Sequence, residues 1–454
     1  MNKQSHQIEL YRGPLFSKII KYTIPILLTN MLALAYNAAD IIIVGNFEGT
    51  HALSAVGSTG SVINLMVSIF MGVSVGSGIL TSRYFASKNN EHLTQTIHCA
   101  ITFAIIGGIF LAIAGNVFVN QILSITNIPE DISREAGIYL RIYFLGTPFT
   151  LIYNFSVAIL SAVGDSKRPL YFLIISGIIN VILNLIFVII FKMSVAGVAL
   201  ATVISQSIAM ILVLRCLTNQ EGAMQLKFSE LRIYKSKLID ILKIGIPTAL
   251  QSAAFSFSNV IFQSSVNTFG SVAIAGNAAA SNIENFTIQA MASLGQANTS
   301  IASQCIGSGQ YKRSDKALYY NLSMAVSIGI ILGFFIFIFR SELISVYNND
   351  PKVIVIGAER LMFLAVAQFL AGFMNVIGGH IRGIGFPTLP MIITLIGVCG
   401  LRILWIETIF SYYNSLNTLY IVYPVSWGIT AFGLLICYVL LRKKLPKEDN
   451  PLTE

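Results

Sequence analysis

Charge is what this chain has least of. Asp, Glu, Lys and Arg make up 11% of its 454 residues, where a soluble domain carries about a quarter. With 55% hydrophobic residues and a mean hydropathy of +0.74, too little polar surface exists to wet a soluble globule. That excludes a soluble enzyme, a secreted disulfide scaffold and a disordered chain. Cysteine is scarce too: Cys99, Cys216, Cys305, Cys399 and Cys437 lie in or beside apolar runs at no metal or redox spacing. They read as reduced packing residues. The histidines (His6, His51, His92, His98, His380) are scattered, and the six-residue step from His92 to His98 does not share a helix face. No paired-His or Asp/His centre for a membrane enzyme results, and no phosphate-binding loop for ATP-driven transport. The expectation is a protein that is not an enzyme, with no cofactor and no resident metal. The polar start MNKQSHQIELYRG has no signal peptide behind it, so the first span is itself the insertion signal.

Long apolar runs are what the chain has in abundance. A spanning helix needs about 20 apolar residues, with its backbone satisfied inside the segment. Runs bounded by charge or Gly/Pro predict twelve spans, near 19–45, 53–81, 96–119, 137–162, 170–191, 195–217, 239–267, 273–301, 317–339, 354–380, 388–410 and 418–441. Stretches such as VILNLIFVIIF do not alternate, which excludes a transmembrane barrel. Orientation follows from basic residues. With the N-terminus inside, most of the 29 Lys and Arg fall on the cytoplasmic side, including Lys227, Arg232, Lys235 and Lys237 of the central loop. The outer side holds Arg134, Arg141, Lys192, Arg340, Lys352 and Arg360. Both termini are then cytoplasmic in a multi-pass cell-membrane protein. The net charge of +9 is an insertion signal, not a nucleic-acid surface.

The chain also repeats itself. Ile24-Pro25 returns as Ile246-Pro247, 222 positions on, while Asn154, Gly164 and Pro169 return as Asn375, Gly385 and Pro390, each 221 positions on. A near-constant offset predicts two six-helix halves: residues 1–217, a cytoplasmic linker 218–238, residues 239–441, and a cytoplasmic tail 442–454. Six is even, so the halves are parallel repeats about an axis along the membrane normal, an architecture of alternating-access transporters.

Several motifs together resemble the MATE family (multidrug and toxic compound extrusion). They are Ile24-Pro25…Asp40 followed by Val44-Gly45, Gly164-Asp165-Ser166-Lys167-Arg168-Pro169, Asn180…Asn184 and Gly197-Val198-Ala199…Ser205-Gln206. In the second half Gly245-Ile246-Pro247, Ile283-Glu284-Asn285-Phe286 and Arg382-Gly383-Ile384-Gly385…Pro390 fit the same family. The resemblance covers essentially the whole chain, in order. It implies two lobes in a V shape and efflux of amphipathic or cationic drug-like compounds in exchange for H+ or Na+, with no obligate protein partner.

Acidic residues inside apolar spans are expensive, and only Asp40 and Glu284 sit well inside one. Tyr36 and Asn37 share the helix face of Asp40, Asn180 shares one with Asn184, and Thr202 shares one with Gln206. At 1.5 Å per residue Asp40 lies roughly 8 Å below the outer surface, Asn184 and Thr202 about 10 Å, and Asn180 about 16 Å. Carboxylate, amide and hydroxyl oxygens in one layer suit a proton or a hard cation such as Na+ at Asp40. The same amides and hydroxyl also suit interhelical hydrogen bonding. In the second half Glu284 (about 16 Å) and Arg402 (about 12 Å) are expected to pair, because an unpaired Arg in lipid is costly.

Two departures from family patterns bear on coupling. Many relatives carry an acid where this chain has Asn184. NorM-type members place acids in the seventh and tenth spans, whereas the seventh here, from Gly245 to Phe255, has none. The resemblance is therefore closer to members coupled through the first lobe. A lipid-linked oligosaccharide or polysaccharide flippase of the same superfamily is the alternative, although only Arg402 and Arg141 offer it cationic cavity residues.

Overall fold

The computed structural model describes residues 7–126, 128, 130–446 and 448–449. The expected cytoplasmic positions of Lys3 and Lys447, and of both chain ends, lie outside the described residues. Twelve long helices follow one another: α1 Leu15–Phe47, α2 Gly49–Ala86, α3 Asn90–Val117, α4 Glu130–Ala162, α5 Lys167–Ile190 and α6 Ser194–Thr218. The second six are α7 Lys235–Asn267, α8 Ser271–Gly307, α9 Tyr311–Ser345, α10 Pro351–Gly383, α11 Thr388–Phe410 and α12 Leu416–Arg442. Among the described residues eleven are long and apolar enough to cross a membrane, and α8 is not one of these. Its sequence explains this, since α8 carries Glu284, Thr287, Ser293, Asn298, Thr299 and Gln304, all buried. Those groups bond within the protein, as when Asn298 donates to the Val376 carbonyl. The large apolar side chains of other helices face outward instead: Phe110, Ile113, Ile190 and Phe334 are each more than 60% exposed. That inversion suits hydrocarbon as solvent.

The repeat is written into the helix boundaries. Asn90, Glu130 and Lys167 begin α3, α4 and α5, and Tyr311, Pro351 and Thr388 begin their counterparts, each 221 positions on. Even the left-handed turn recurs. Gly164 has φ +86° and Gly385 has φ +108°, at that same offset. At Gly164 the backbone also passes so close to Ile8 that a Cβ would stand 2.2 Å from its carbonyl oxygen.

Two compact units emerge, one of residues 1–9 and 28–249, the other of residues 10–27 and 250–454. The long segment of each begins three residues after a proline inside a helix, Pro25 in α1 and Pro247 in α7, where the missing N–H breaks the helical ladder. The first unit is built on Ile97, Ile101, Leu151, Phe155 and Val213, with a second cluster around Val44, Phe144 and Val198. The second unit centres on Met291, Leu361, Val376 and Tyr420. Lipid offers helices no hydrophobic drive to associate, so close backbone packing of small residues carries more weight. A Cβ on Gly379 of α10 would lie 2.4 Å from the Gly295 carbonyl of α8. The N-terminal segment joins the second unit: Arg313 donates to the carbonyls of Leu10, Arg12 and Gly13, and the Leu10 N–H to Gln304.

The linker after α6 is a docked strap with two short 3₁₀ turns, Gly222–Met224 and Phe228–Glu230. Met224 and Leu226 are buried in the first unit. His98 of α3 anchors it: Nδ1 lies 2.8 Å from the Thr94 carbonyl, and Nε2 accepts from the Lys227 N–H at 3.1 Å. The strap exposes the Lys227–Glu230 ion pair, and that bond holds the Glu230 carboxyl below its ordinary range.

Candidate functional site

The first unit gathers its polar residues around one carboxylate. Asp40 sits on α1 one turn before Val44, which is fully buried, so core packing on one side fixes where the acid points. Asn184 of α5 donates from Nδ2 to Asp40 Oδ1 at 2.5 Å and to Asn180 Oδ1 at 3.3 Å. Asn180 and Asn184 lie one turn apart, so a single helical face presents both amides. The Thr202 hydroxyl of α6 lies near Asp40 and donates to the Val198 carbonyl at 3.0 Å. Three helices thus bring carboxylate, amide and hydroxyl oxygens together.

Of the residues picked out beside Asp40, Tyr36 is drawn in by packing. Its ring lies over Gly177 of α5, where a Cβ would come within 1.7 Å of the ring, and its hydroxyl donates to the Ile174 carbonyl. Asn37 is exposed and stays outside the cluster. Gln206 lies one turn beyond Thr202 with its Oε1 buried and unbonded. Sequence reasoning missed Tyr139 of α4, which lies within electrostatic reach of Asp40 and stacks on Tyr143. Nothing local marks it out, because Tyr139 and Tyr143 look like ordinary core aromatics.

The donor set can be tested against a cation. Asn184 Oδ1 is buried and accepts no hydrogen bond, which leaves a costly unsatisfied acceptor beside a carboxylate. Hard cations take such oxygens. The residues therefore fit Na+, and the carboxylate alone fits H+. Among the described residues no His/Cys/Asp/Glu cluster of three or more could hold a metal ion.

In the second unit the expected pairing of Glu284 with Arg402 is wrong. Glu284 bonds Arg360 of α10, 2.5 Å from its Nη2, while Arg402 of α11 donates to Asn259 Oδ1 at 3.1 Å and lies over the Tyr423 ring. Arg360, counted to the outer side in the orientation, is the cation that stands against Glu284. The helix starts at Pro351, which carries Arg360 two and a half turns into the fold, where it is buried. It also bonds Asn277 and Ser281.

The MatE family profile matches residues 25–186 and again residues 247–406, the two halves of the repeat. The chain belongs to the MatE family. Members of this family are membrane transporters. This MatE chain is 27% identical over 432 residues to the probable multidrug resistance protein YoeA of Bacillus subtilis (strain 168), covering 93% of each. It is 23% identical over 393 residues to the probable multidrug resistance protein NorM of Thermotoga maritima, covering 85% of this chain and 84% of NorM. Its fold matches the outward-facing conformation of a multidrug resistance MATE family transporter with a TM-score of 0.91, at 21% identity over 98% of this chain and all of the other. The MatE fold of two lobes is thus established, all-helical and multi-pass.

Proposed function

We propose that this MatE protein is a secondary antiporter that exports amphipathic or cationic drug-like compounds in exchange for H+ or Na+ taken up at Asp40. The observation that carries the reading is the Asp40–Asn184–Asn180 chain of hydrogen bonds, with Thr202 nearby. The multidrug names of its relatives support the substrate class. With the linker and both termini cytoplasmic, as the basic residues favour, the cation enters from outside and the drug leaves.

An amide has two chemically opposite ends. The Asn184 NH2 satisfies the Asp40 carboxylate; rotation of the same amide would turn its unbonded oxygen toward an arriving Na+. A proton would instead convert Asp40 from pure acceptor to donor. Either event changes which packing of α1 against α5 and α6 is favoured, and a ligand shifts such an equilibrium only through its differential affinity for the two states. We read the chain as coupled through its first lobe, because α7 has no acid from Gly245 to Asn267. The flippase alternative needs cationic groups free to meet pyrophosphate, yet Arg402 is buried and Arg141 is bonded to Asn116 and Asn120.

Dye efflux from proteoliposomes under an imposed pH gradient, and separately under an imposed Na+ gradient, tests the proposal. Efflux driven by one gradient is expected. No response to either would overturn it. The orientation is tested by a single cysteine at position 227, Lys227→Cys in a cysteine-less chain, which is expected to resist impermeant thiol reagents added to intact cells.

A further inference from the structure

The second lobe holds more buried positive charge than negative. Arg402 is 3% exposed and Arg360 is 3% exposed, and both face one tyrosine. The Arg402 guanidinium carbon lies 4.4 Å from the centre of the Tyr423 ring and that of Arg360 lies 5.6 Å from it. Arg360 also donates to the Tyr423 hydroxyl at 3.3 Å. Against these two cations stands one buried carboxylate, Glu284, already bonded to Arg360. Glu359, the chain neighbour of Arg360, is only half-buried and makes no ion pair among the described residues.

Arg402 therefore relies on one amide oxygen, that of Asn259, and on a ring face. Its Nε is buried and has no partner, as are Arg360 Nε and the Tyr420 hydroxyl in the same cluster. Each can donate, and a buried donor left unsatisfied carries its full desolvation penalty. A buried guanidinium without a counter-charge is costly inside a membrane. Donors outnumber acceptors and plus outnumbers minus, so the cluster lacks one negative acceptor.

The place of this cluster in the repeat is informative. At an offset of 221, Thr202 of the first lobe maps onto Tyr423, and Asn180 onto Leu401, the residue before Arg402. The layer that offers oxygens around a carboxylate in one lobe offers N–H and O–H groups around a guanidinium in the other. In the backbone, Leu395–Gly400 is π-helical just before Arg402, a widening often found at functional sites, while the π-helical Ile406–Phe410 after it has its counterpart in Ile186–Ile190 of the first lobe.

We propose that the second lobe binds one small monovalent anion of the chloride class against the Arg402 guanidinium. Tyr423 beside Arg402, and the Phe262 and Trp427 rings packed edge-on against Tyr423, are aromatic and nearly inaccessible, which favours a compact, readily dehydrated ion over sulfate or a carboxylate-bearing organic molecule. The anion neutralises the excess charge and accepts from the free donors. The proposal does not depend on how the first lobe couples transport.

The test uses the purified full chain in detergent at constant ionic strength. Thermal unfolding is followed as potassium gluconate is replaced by potassium chloride, and then by bromide. Because a ligand that binds only the folded state stabilises it by RT ln(1 + [L]/Kd), the midpoint is expected to rise with the logarithm of the chloride concentration above its Kd, by roughly 2–4 °C, with bromide acting likewise. Arg402→Met is expected to abolish the rise and Arg402→Lys to retain part of it. A flat response in the wild-type protein, or an equal rise in Arg402→Met, overturns the proposal. Should Arg402→Met not fold, equilibrium dialysis of the wild-type protein with radiolabelled chloride decides. Saturable uptake of about one ion per chain, displaced by bromide but not gluconate, supports the site; no saturable uptake refutes it.

Discussion

Arg360 on α10 reaches across to Glu284 on α8, and each is the other's charge partner inside the second lobe. Arg360 is held there by further hydrogen bonds to Asn277 and Ser281. Removing one member of a buried pair strands the other, typically at a cost of 3–5 kcal/mol, whereas removing both is far milder. Glu284→Gln and Arg360→Gln are each expected to lower the yield of folded protein and its melting temperature. The double variant is expected to recover most of the loss. Arg402→Gln in the Glu284→Gln background gives no such recovery, because Arg360 remains unpaired. Fluorescence-detected size exclusion of all five chains measures this, and equal rescue by Arg402→Gln would contradict it.

Asp40→Asn keeps the shape and hydrogen bonding of the side chain but removes its charge. We expect normal insertion and at least a tenfold drop in gradient-driven dye efflux, a loss of about 1.4 kcal/mol or more of coupling. Asn180→Ala and Thr202→Ala each remove one ligand and should reduce efflux less. Asn184→Asp puts a second carboxylate beside the first, so efflux should persist with a steeper dependence on the imposed gradient. Wild-type rates in Asp40→Asn at matched expression would remove Asp40 from the mechanism.

Gly177 leaves room for the Tyr36 ring. Gly177→Ala forces that ring to move, an overpacking usually worth about 1–3 kcal/mol. Thermal stability and efflux are both expected to fall, and Tyr36→Ser in the same chain should restore the stability. Unaltered melting in Gly177→Ala would mean that α1 and α5 do not pack as described.

His98 accepts the Lys227 N–H and so holds the linker on α3. His98→Ala leaves that N–H without its protein acceptor and weakens the strap by about 1 kcal/mol. Limited trypsin digestion of purified protein should then cut after Lys227 or Arg232 roughly fivefold faster, as that energy implies. An unchanged cleavage rate would show that His98 does not secure the strap.

Much of this protein is legible residue by residue because lipid constrains each segment separately. A span must be apolar and internally bonded wherever its neighbours lie, so the helices could be counted from composition, and the 221-residue offset could be read without coordinates. Asp40 stood out by the same logic, since an acid in an apolar run must have a use, and the one-turn step from Asn180 to Asn184 placed both amides on one face. Rise per residue, however, gives depth along a helix and says nothing of which helix stands opposite. Only the packed structure decided that Glu284 meets Arg360 and that Arg402 meets Tyr423. Packing also separated Tyr36, seated on Gly177, from its sequence neighbour Asn37, which is exposed. The same holds for the unit boundaries after Pro25 and Pro247: a proline marks where a helix can bend, and tertiary contacts choose the neighbours on either side of it.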